Sequence, residues 1–336
     1  MILVTGGTGL LGSHLLLQLL KNGEKVKALY RNEQSLKEVE AVFSYYIEDP
    51  KTMASKIEWV AGDITDLPSL ENAFVGVTQV YHLAALISFN PAAWDQLKKT
   101  NVEGTANVVN LCLANKVEKL CYASSIAAIG QSLDTTPITE ENDWIDADVS
   151  VYAVSKYRAE MEVWRGSQEG LKVVVVNPGI ILGPGNWDHG SARLFKNAAK
   201  GLRAYFPGGT GFVSVHDVVA MAMILMQQSI ANERFIAVGE NLSFQEVFSM
   251  MSESFGLPVP KKKIPLALLE IGWRLDWCRR FFFRTKRKLT KNTVQSLRNR
   301  KYYSSKKAEE TLGFQFEGLS ACIETSCRLL RQRYTA

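Results

Sequence analysis

The sequence predicts an α/β fold: a doubly wound parallel sheet with a smaller, mostly helical C-terminal region. Three observations carry this. Short apolar, β-branched runs alternate with amphipathic helical stretches from the first residue to about residue 176, a glycine-rich turn joins the first run to the first helix, and the texture changes to loops and helices after Asn177. With 336 residues, 46% hydrophobic and 22% charged, the chain can bury a full core in one large unit with an appendage.

The strand candidates, in order, are Ile2–Thr5, Val26–Tyr30, Ile57–Val60, Gln79–His82, Lys119–Ala123 and Lys172–Val176. Between them, Leu10–Lys21, Leu70–Phe74, Ala92–Ala114 and Tyr152–Gln168 repeat apolar residues at three- and four-residue spacing, the period of a helix with one buried face. Crossovers of this length turn right-handed, which gives parallel strands with helices on both faces. Beyond Asn177, glycines and prolines at 178, 179, 183–185, 190, 207–209 and 211 break the chain into loops. A strand near Phe212–Val215, a helix over Asp217–Gln227 and a strand at Phe235–Val238 read as a return to the sheet.

Composition narrows the function. The net charge of +5 is mild and its basic residues gather near the C-terminus, so nucleic acid is not an expected partner. Five scattered cysteines without a CxxC pair, and four dispersed histidines, predict neither a metal site nor a complete disulfide framework. The opening Met-Ile-Leu-Val-Thr-Gly lacks the basic leader and apolar stretch of a secretory signal, and a reduced, cytoplasmic setting is expected.

Thr5-Gly6-Gly7-Thr8-Gly9-Leu10-Leu11-Gly12 places glycines at 6, 9 and 12 between a strand and a helix. A tight turn, a backbone that approaches a pyrophosphate, and close helix packing all require residues without a Cβ. The N–H groups of the following helix suit phosphates. This points to a Rossmann-type cofactor domain of residues 1–177 plus 211–238, with a substrate-binding region of 178–210 plus 239–336; an ordinary tight turn is the bland alternative. At the end of the second strand, Leu29-Tyr30-Arg31-Asn32 offers no acid to a ribose 2′-hydroxyl, whereas Arg31 suits a 2′-phosphate. NADP is therefore favoured over NAD, unless Arg31 is a solvated charge. Asp63, next to Ile64, would bind an adenine amino group, or else Asp63 and Asp66 cap their loop.

Tyr152 and Lys156 stand at i and i+4, on one face of a helix. An ammonium beside a phenol favours its ionised form, so Lys156 is expected to draw Tyr152 down until it serves as general acid or base. Ser125, with Ser124 as the alternative, would orient the reacting oxygen, and Asn101 lies on the intervening helix.

These features, with His82-Leu83-Ala84-Ala85, Asn101-Val102-Glu103-Gly104-Thr105, Tyr122-Ala123-Ser124-Ser125, Asn177-Pro178-Gly179 and Val215-His216-Asp217-Val218 in order, resemble the extended short-chain dehydrogenases/reductases of the NAD-dependent epimerase/dehydratase superfamily over essentially the whole chain. Arg31 and the pattern from Leu289-Thr290 through Tyr302–Lys307 to Leu312-Gly313-Phe314 are most similar to dihydroflavonol-reductase-like and 3β-hydroxysteroid-dehydrogenase-like members. The resemblance implies that Leu83, Ala84 and Ala85 lie beneath the cofactor, that Lys156 also grips the nicotinamide ribose, and that Ser125 polarises the substrate. It further implies that Pro178, Gly179 and Ile181 lie against the nicotinamide end, and that the helices at 92–114 and 152–168 pair in a homodimer. The remaining cofactor contacts expected are Gly6, Thr8, Gly9, Leu10, Leu11, Gly12, Arg31, Asn32, Asp63, Ile64 and Tyr152 itself.

The expected function is an NAD(P)-dependent oxidoreductase that interconverts a carbonyl and a secondary alcohol on a small apolar or cyclic molecule. A nucleotide-sugar epimerase/dehydratase is the alternative, but the phosphate-gripping arginine common before the His-Asp motif is missing from Gly211–Val215, unless Arg193 or Arg203 replaces it. A non-catalytic cofactor-binding protein has no need of Ser125, Tyr152 and Lys156 together. His216 is expected to be structural. Finally, Ile264–Leu266 through Trp273, Trp277 and Phe281–Phe283 precedes Arg284, Lys286, Arg287 and Lys288, a combination suited to an anionic membrane surface. Glu270, Arg274 and Asp276 interrupt it, it is too short to span a bilayer, and the favoured reading is a helix lining or covering the substrate cleft.

Overall fold

Seven parallel strands, in the order β10-β6-β5-β4-β1-β2-β3, make the main sheet of the computed structural model, which describes residues 1–132, 136–145, 149–283, 291, 294 and 297–335. The first half of the chain runs β1 (Ile2–Thr5), α1 (Leu10–Lys21), β2 (Val26–Tyr30), α2 (Gln34–Phe43), α3 (Pro50–Ala54), β3 (Glu58–Ala61), α4 (Leu67–Phe74) and β4 (Gln79–His82). After α5 (Trp94–Leu97) and α6 (Gly104–Ala114) come β5 (Lys119–Ala123), α7 (Val151–Gln168) and β6 (Val173–Pro178). Leu3, Val4, Val80 and Val173 to Val175 are wholly buried, as expected of strands covered on both faces. On one face α1 and α9 (Val215–Gln227) bury Leu15, Leu16, Leu19, Val218, Met221 and Leu225. On the other, α4, α6 and α7 bury Leu70, Phe74, Val108, Val109, Ala159 and Val163. Strand order reverses between β1 and β4, so a crevice opens beyond their C-terminal ends, where ligands of such sheets bind.

The long helix expected over Ala92–Ala114 is continuous but carries a π-bulge. A 3₁₀ turn at Pro91–Ala93 and α5 lead into a π-helical segment, Lys98–Glu103, before α6. The bulge turns Asn101 into the protein, where its amide donates to the Leu86 carbonyl (3.0 Å) and the Ser155 hydroxyl (2.9 Å) and accepts from the Leu86 N–H (2.7 Å).

After β6 the chain forms β7 (Ile180–Leu182), α8 (Ala192–Ala198), β8 (Ala204–Tyr205) and β9 (Gly209–Ser214), and α9 leads to β10 (Glu233–Ala237) and β11 (Glu240–Ser243). β10 returns to the main sheet beside β6, but the strand anticipated at Phe212–Val215 does not. It is part of β9, which pairs with β7 and β11 in a second sheet. Glycines permit that pairing, because a Cβ on Gly179 would lie 2.4 Å from the Gly211 carbonyl oxygen. Together with α10 (Phe244–Ser254) and the last helix, α13 (Leu319–Thr335), this sheet encloses a smaller core of Phe195, Phe212, Val247, Met251, Ile323 and Leu330.

The remaining elements are β12 (Lys262–Lys263), α11 (Leu266–Phe283) and α12 (Lys306–Leu312). In α11 only Leu269 is fully buried among the large apolar side chains described; Trp273 is half-buried and Trp277 exposed, so these two tryptophans do not pack into the core as expected. The basic residues Arg284, Lys286, Arg287 and Lys288, and Leu289-Thr290, lie outside the described residues. Among the described residues, no helix is long and apolar enough to cross a membrane.

Candidate active site

The glycine turn closes on itself at the mouth of the crevice. Gly6 has φ +72°, and a Cβ there would sit 2.6 Å from the Ala84 nitrogen; at Gly12 it would sit 2.1 Å from the Gly6 oxygen. No side chain caps α1, so the N–H groups of Leu10, Leu11 and Gly12, with no intrahelical acceptors, remain for a ligand. Thr8 is half-buried and Gly9 exposed at this edge. Such a cradle fits a pyrophosphate. Leu83 and Ala84 lie against it: the Leu83 N–H donates to the Thr5 carbonyl (3.1 Å) and the Ala84 N–H to the Thr5 hydroxyl (3.4 Å), with Ala85 exposed beyond them.

At the ends of β2 and β3, the Arg31 side chain is 73% exposed, with Nη1 3.7 Å from Asp63 Oδ2. Asp63 Oδ1 accepts from both the N–H and the hydroxyl of Thr65 (2.9 Å each), and Asp66 caps α4, so the loop-capping role applies to both. Asn32 accepts from the Gln34 N–H (2.9 Å). Ile64 is buried against Gly104, and its carbonyl accepts from Asn107. These four positions are thus brought together, Arg31 being the side chain most open to a ligand.

The residues expected to be catalytic converge where β5, β6 and α7 meet. The Tyr152 phenol, half-buried, lies close enough to Ser125 to feel its hydroxyl, and its ring meets Phe89 edge-on at 5.4 Å. Ser125 Oγ accepts from the Ala127 N–H (3.1 Å). Ser124 instead donates to the buried Glu160 carboxylate (2.6 Å), which leaves Ser125 as the serine of the site. Burial pushes the Tyr152 phenol up to about 12, the Ser125 hydroxyl partly opposing it. Burial pushes the Lys156 ammonium down to about 7, against the pull of Glu160. The expected lowering of Tyr152 by Lys156 is therefore absent from the chain alone. Its cause is geometric: Lys156 Nζ donates to the Tyr122 hydroxyl (2.7 Å) and the Ala123 carbonyl (2.8 Å).

From Lys156 a buried polar chain runs under the crevice. The Tyr122 ring stacks on that of His82 (5.3 Å), whose Nε2 is bonded to Thr105 (2.9 Å) and whose Nδ1 is bonded to Thr5 (2.6 Å), the residue that opens the glycine turn. Burial drives His82 down to about 3, so it stays neutral. Glu160, wholly buried one turn beyond Lys156, also accepts from Asn177 (2.9 Å), Arg234 (3.2 Å) and Trp164 (3.3 Å). Asn177 in turn donates to the Ser125 carbonyl (3.1 Å), placing Pro178 and Gly179 beside the catalytic serine, with half-buried Ile181 next along β7. Sequence reasoning missed Glu160, and it missed the link that Tyr122 and Thr105 provide. Glu160 alone carried a signal, an acid continuing the i+4 spacing of Tyr152 and Lys156 on the inward face. His216 packs on Tyr46 and His14, away from this chemistry, as expected. Arg193 and Arg203 are both exposed.

The parallel order 3-2-1-4-5-6, the glycine cradle and the Ser-Tyr-Lys cluster define an extended short-chain dehydrogenase/reductase fold, and the chain belongs to the NAD dependent epimerase/dehydratase family, whose sequence model matches residues 2–239. It is 29% identical over 341 residues to sterol demethylase protein B of Methylococcus capsulatus, covering 98% of each chain. It is 31% identical over 280 residues to a putative dihydroflavonol 4-reductase of Synechocystis, covering 80% of this chain and 77% of the other. Among solved structures, that of gox2253 superposes with a TM-score of 0.80 at 27% identity, over 99% of this chain and 98% of the other.

Proposed function

We propose that this protein is an NADP-dependent reductase or dehydrogenase that interconverts a carbonyl and a secondary alcohol on a small apolar, cyclic molecule. The observation that carries the reading is the Tyr152 phenol, close to Ser125 and kept protonated by burial, with the half-exposed Phe89 ring against it. A protonated phenol is what a carbonyl oxygen requires when it becomes a hydroxyl. The bound dinucleotide would supply the hydride in reduction and accept it in oxidation.

The chain's own residues do the rest. The backbone from Gly6 to Gly12 holds the pyrophosphate, Arg31 the 2′-phosphate, and Lys156 the ribose. Ser125 orients the substrate oxygen, and Tyr152 donates its proton to that oxygen as hydride reaches the carbon. Solvent reprotonates the phenolate left behind, which the Lys156 charge would stabilise once a bound ribose draws the ammonium away from Tyr122. The names of the two relatives, one for a sterol and one for a dihydroflavonol, support a ring-containing substrate. Gly211–Val215 holds no arginine for a nucleotide phosphate, which weighs against the sugar alternative.

The test is a screen of NADPH oxidation and NADP reduction against ketones, aldehydes, sterols and nucleotide sugars, repeated with NADH. Net oxidation of NADPH by an apolar cyclic ketone is expected. Conversion of a nucleotide sugar without net cofactor change would overturn the reading, and a lower KM for NADH would overturn its NADP part.

A further inference from the structure

We propose that the face of α11 formed by Leu268, Ile271 and Leu275 docks on a lipid surface carrying anionic headgroups. The three side chains are 59%, 54% and 65% exposed, and their i, i+3, i+7 spacing lines them along one stripe of the helix. Leu269, buried on another side, pins the helix to the protein and leaves that stripe facing outward. Three large aliphatic side chains in a row on solvent call for a cover.

Charge identifies the cover. Residues 261–288 hold ten lysines and arginines and two acids, a greater excess than the +5 of the whole chain, so the remainder of the molecule is net negative. Lys261, Lys262 and Lys263 are exposed just before the helix begins. The two acids that interrupt the apolar run are paired: Glu270 with Arg298 (2.5 Å) and Arg274 (2.9 Å), and Asp276 with Arg279 (2.7 Å). The Trp273 N–H and these arginines hold the Glu270 carboxyl well below the usual carboxylate range. An apolar stripe with a concentrated basic flank matches the chemistry of an anionic bilayer surface, whose apolar boundary takes the leucines and whose headgroups take the lysines. A second copy of the chain would set like charge against like charge at this patch.

Vesicle flotation of the full chain tests this, using phosphatidylcholine vesicles with and without phosphatidylserine. Co-flotation is expected only with phosphatidylserine, and it should weaken as salt rises. The triple variant Leu268→Glu, Ile271→Glu, Leu275→Glu should abolish it. A second variant, Lys261→Glu, Lys262→Glu, Lys263→Glu, changes only exposed groups and should weaken it about tenfold or more even if the first variant misfolds. Absence of co-flotation with anionic vesicles, or undiminished binding by the lysine variant, overturns the proposal. Self-association lost in the leucine variant, without any vesicle binding by the parent chain, would assign the face to a second copy and equally overturn it.

Discussion

Along the floor of the crevice, Thr5, His82, Thr105, Tyr122 and Lys156 are buried and tied together by hydrogen bonds and one ring stack, whereas on the loop after β4 Ile87 and Phe89 are 61% and 49% exposed. The contrast follows from what each region must hold. A buried polar group without a partner costs about 1–3 kcal/mol, so the floor tolerates one arrangement and fixes the ammonium and phenol of the site in place. An apolar wall makes no such demand and accepts ring systems of differing outline. On the proposed function, chemistry would belong to the floor and choice of substrate to the wall.

The sharpest way to break this division is to remove one hydroxyl from the floor's mouth. Tyr152→Phe should lower kcat by about 10²–10⁴-fold, the usual worth of a positioned general acid, while fluorescence titration shows unchanged NADPH affinity. Turnover close to that of the parent would remove Tyr152 from the mechanism. The pH dependence of kcat/KM sharpens the same point. Lys156 is drawn down to about 7 by burial, so its positive charge is lost as pH rises through that value. The Tyr152 phenol, raised to about 12, stays protonated throughout. Reduction should therefore fall off above about pH 7, by up to tenfold per unit where only the charged form works, and Lys156→Arg should erase that inflection because guanidinium does not titrate there. An inflection that survives in Lys156→Arg would belong to another group.

The floor was legible only where its rules are local. The edges of β1, β2, β4 and β5 and of α1 match their expected bounds, because buried parallel strands are continuous apolar runs and glycine positions answer to backbone demands within the same turn. Tyr152 and Lys156 were legible for the same reason, being one helical turn apart. The chain from Tyr122 through His82 to Thr105 and Thr5 was not, since only the order of strands brings those residues together. The π-bulge in Ala92–Ala114 escaped because apolar spacing survives it, and only the partners of Asn101 reveal it. The exposed stripe of α11 escaped by the opposite route: its periodicity is that of a core helix, and periodicity does not say which side is covered.

The smallest effect tests the wall. Phe89 meets Tyr152 edge-on at 5.4 Å while remaining 49% exposed, so it can touch the substrate and the catalytic ring at once. If it acts only as apolar surface, Phe89→Ala loses about 1 kcal/mol of contact, roughly a fivefold rise in KM for a cyclic ketone, and kcat holds because the phenol stays in place on α7 beside Ser125. A fall in kcat at unchanged KM would instead make Phe89 a positioning residue for Tyr152. Floor and wall would then be one device, and substrate choice could not be altered on the loop without loss of the proton transfer.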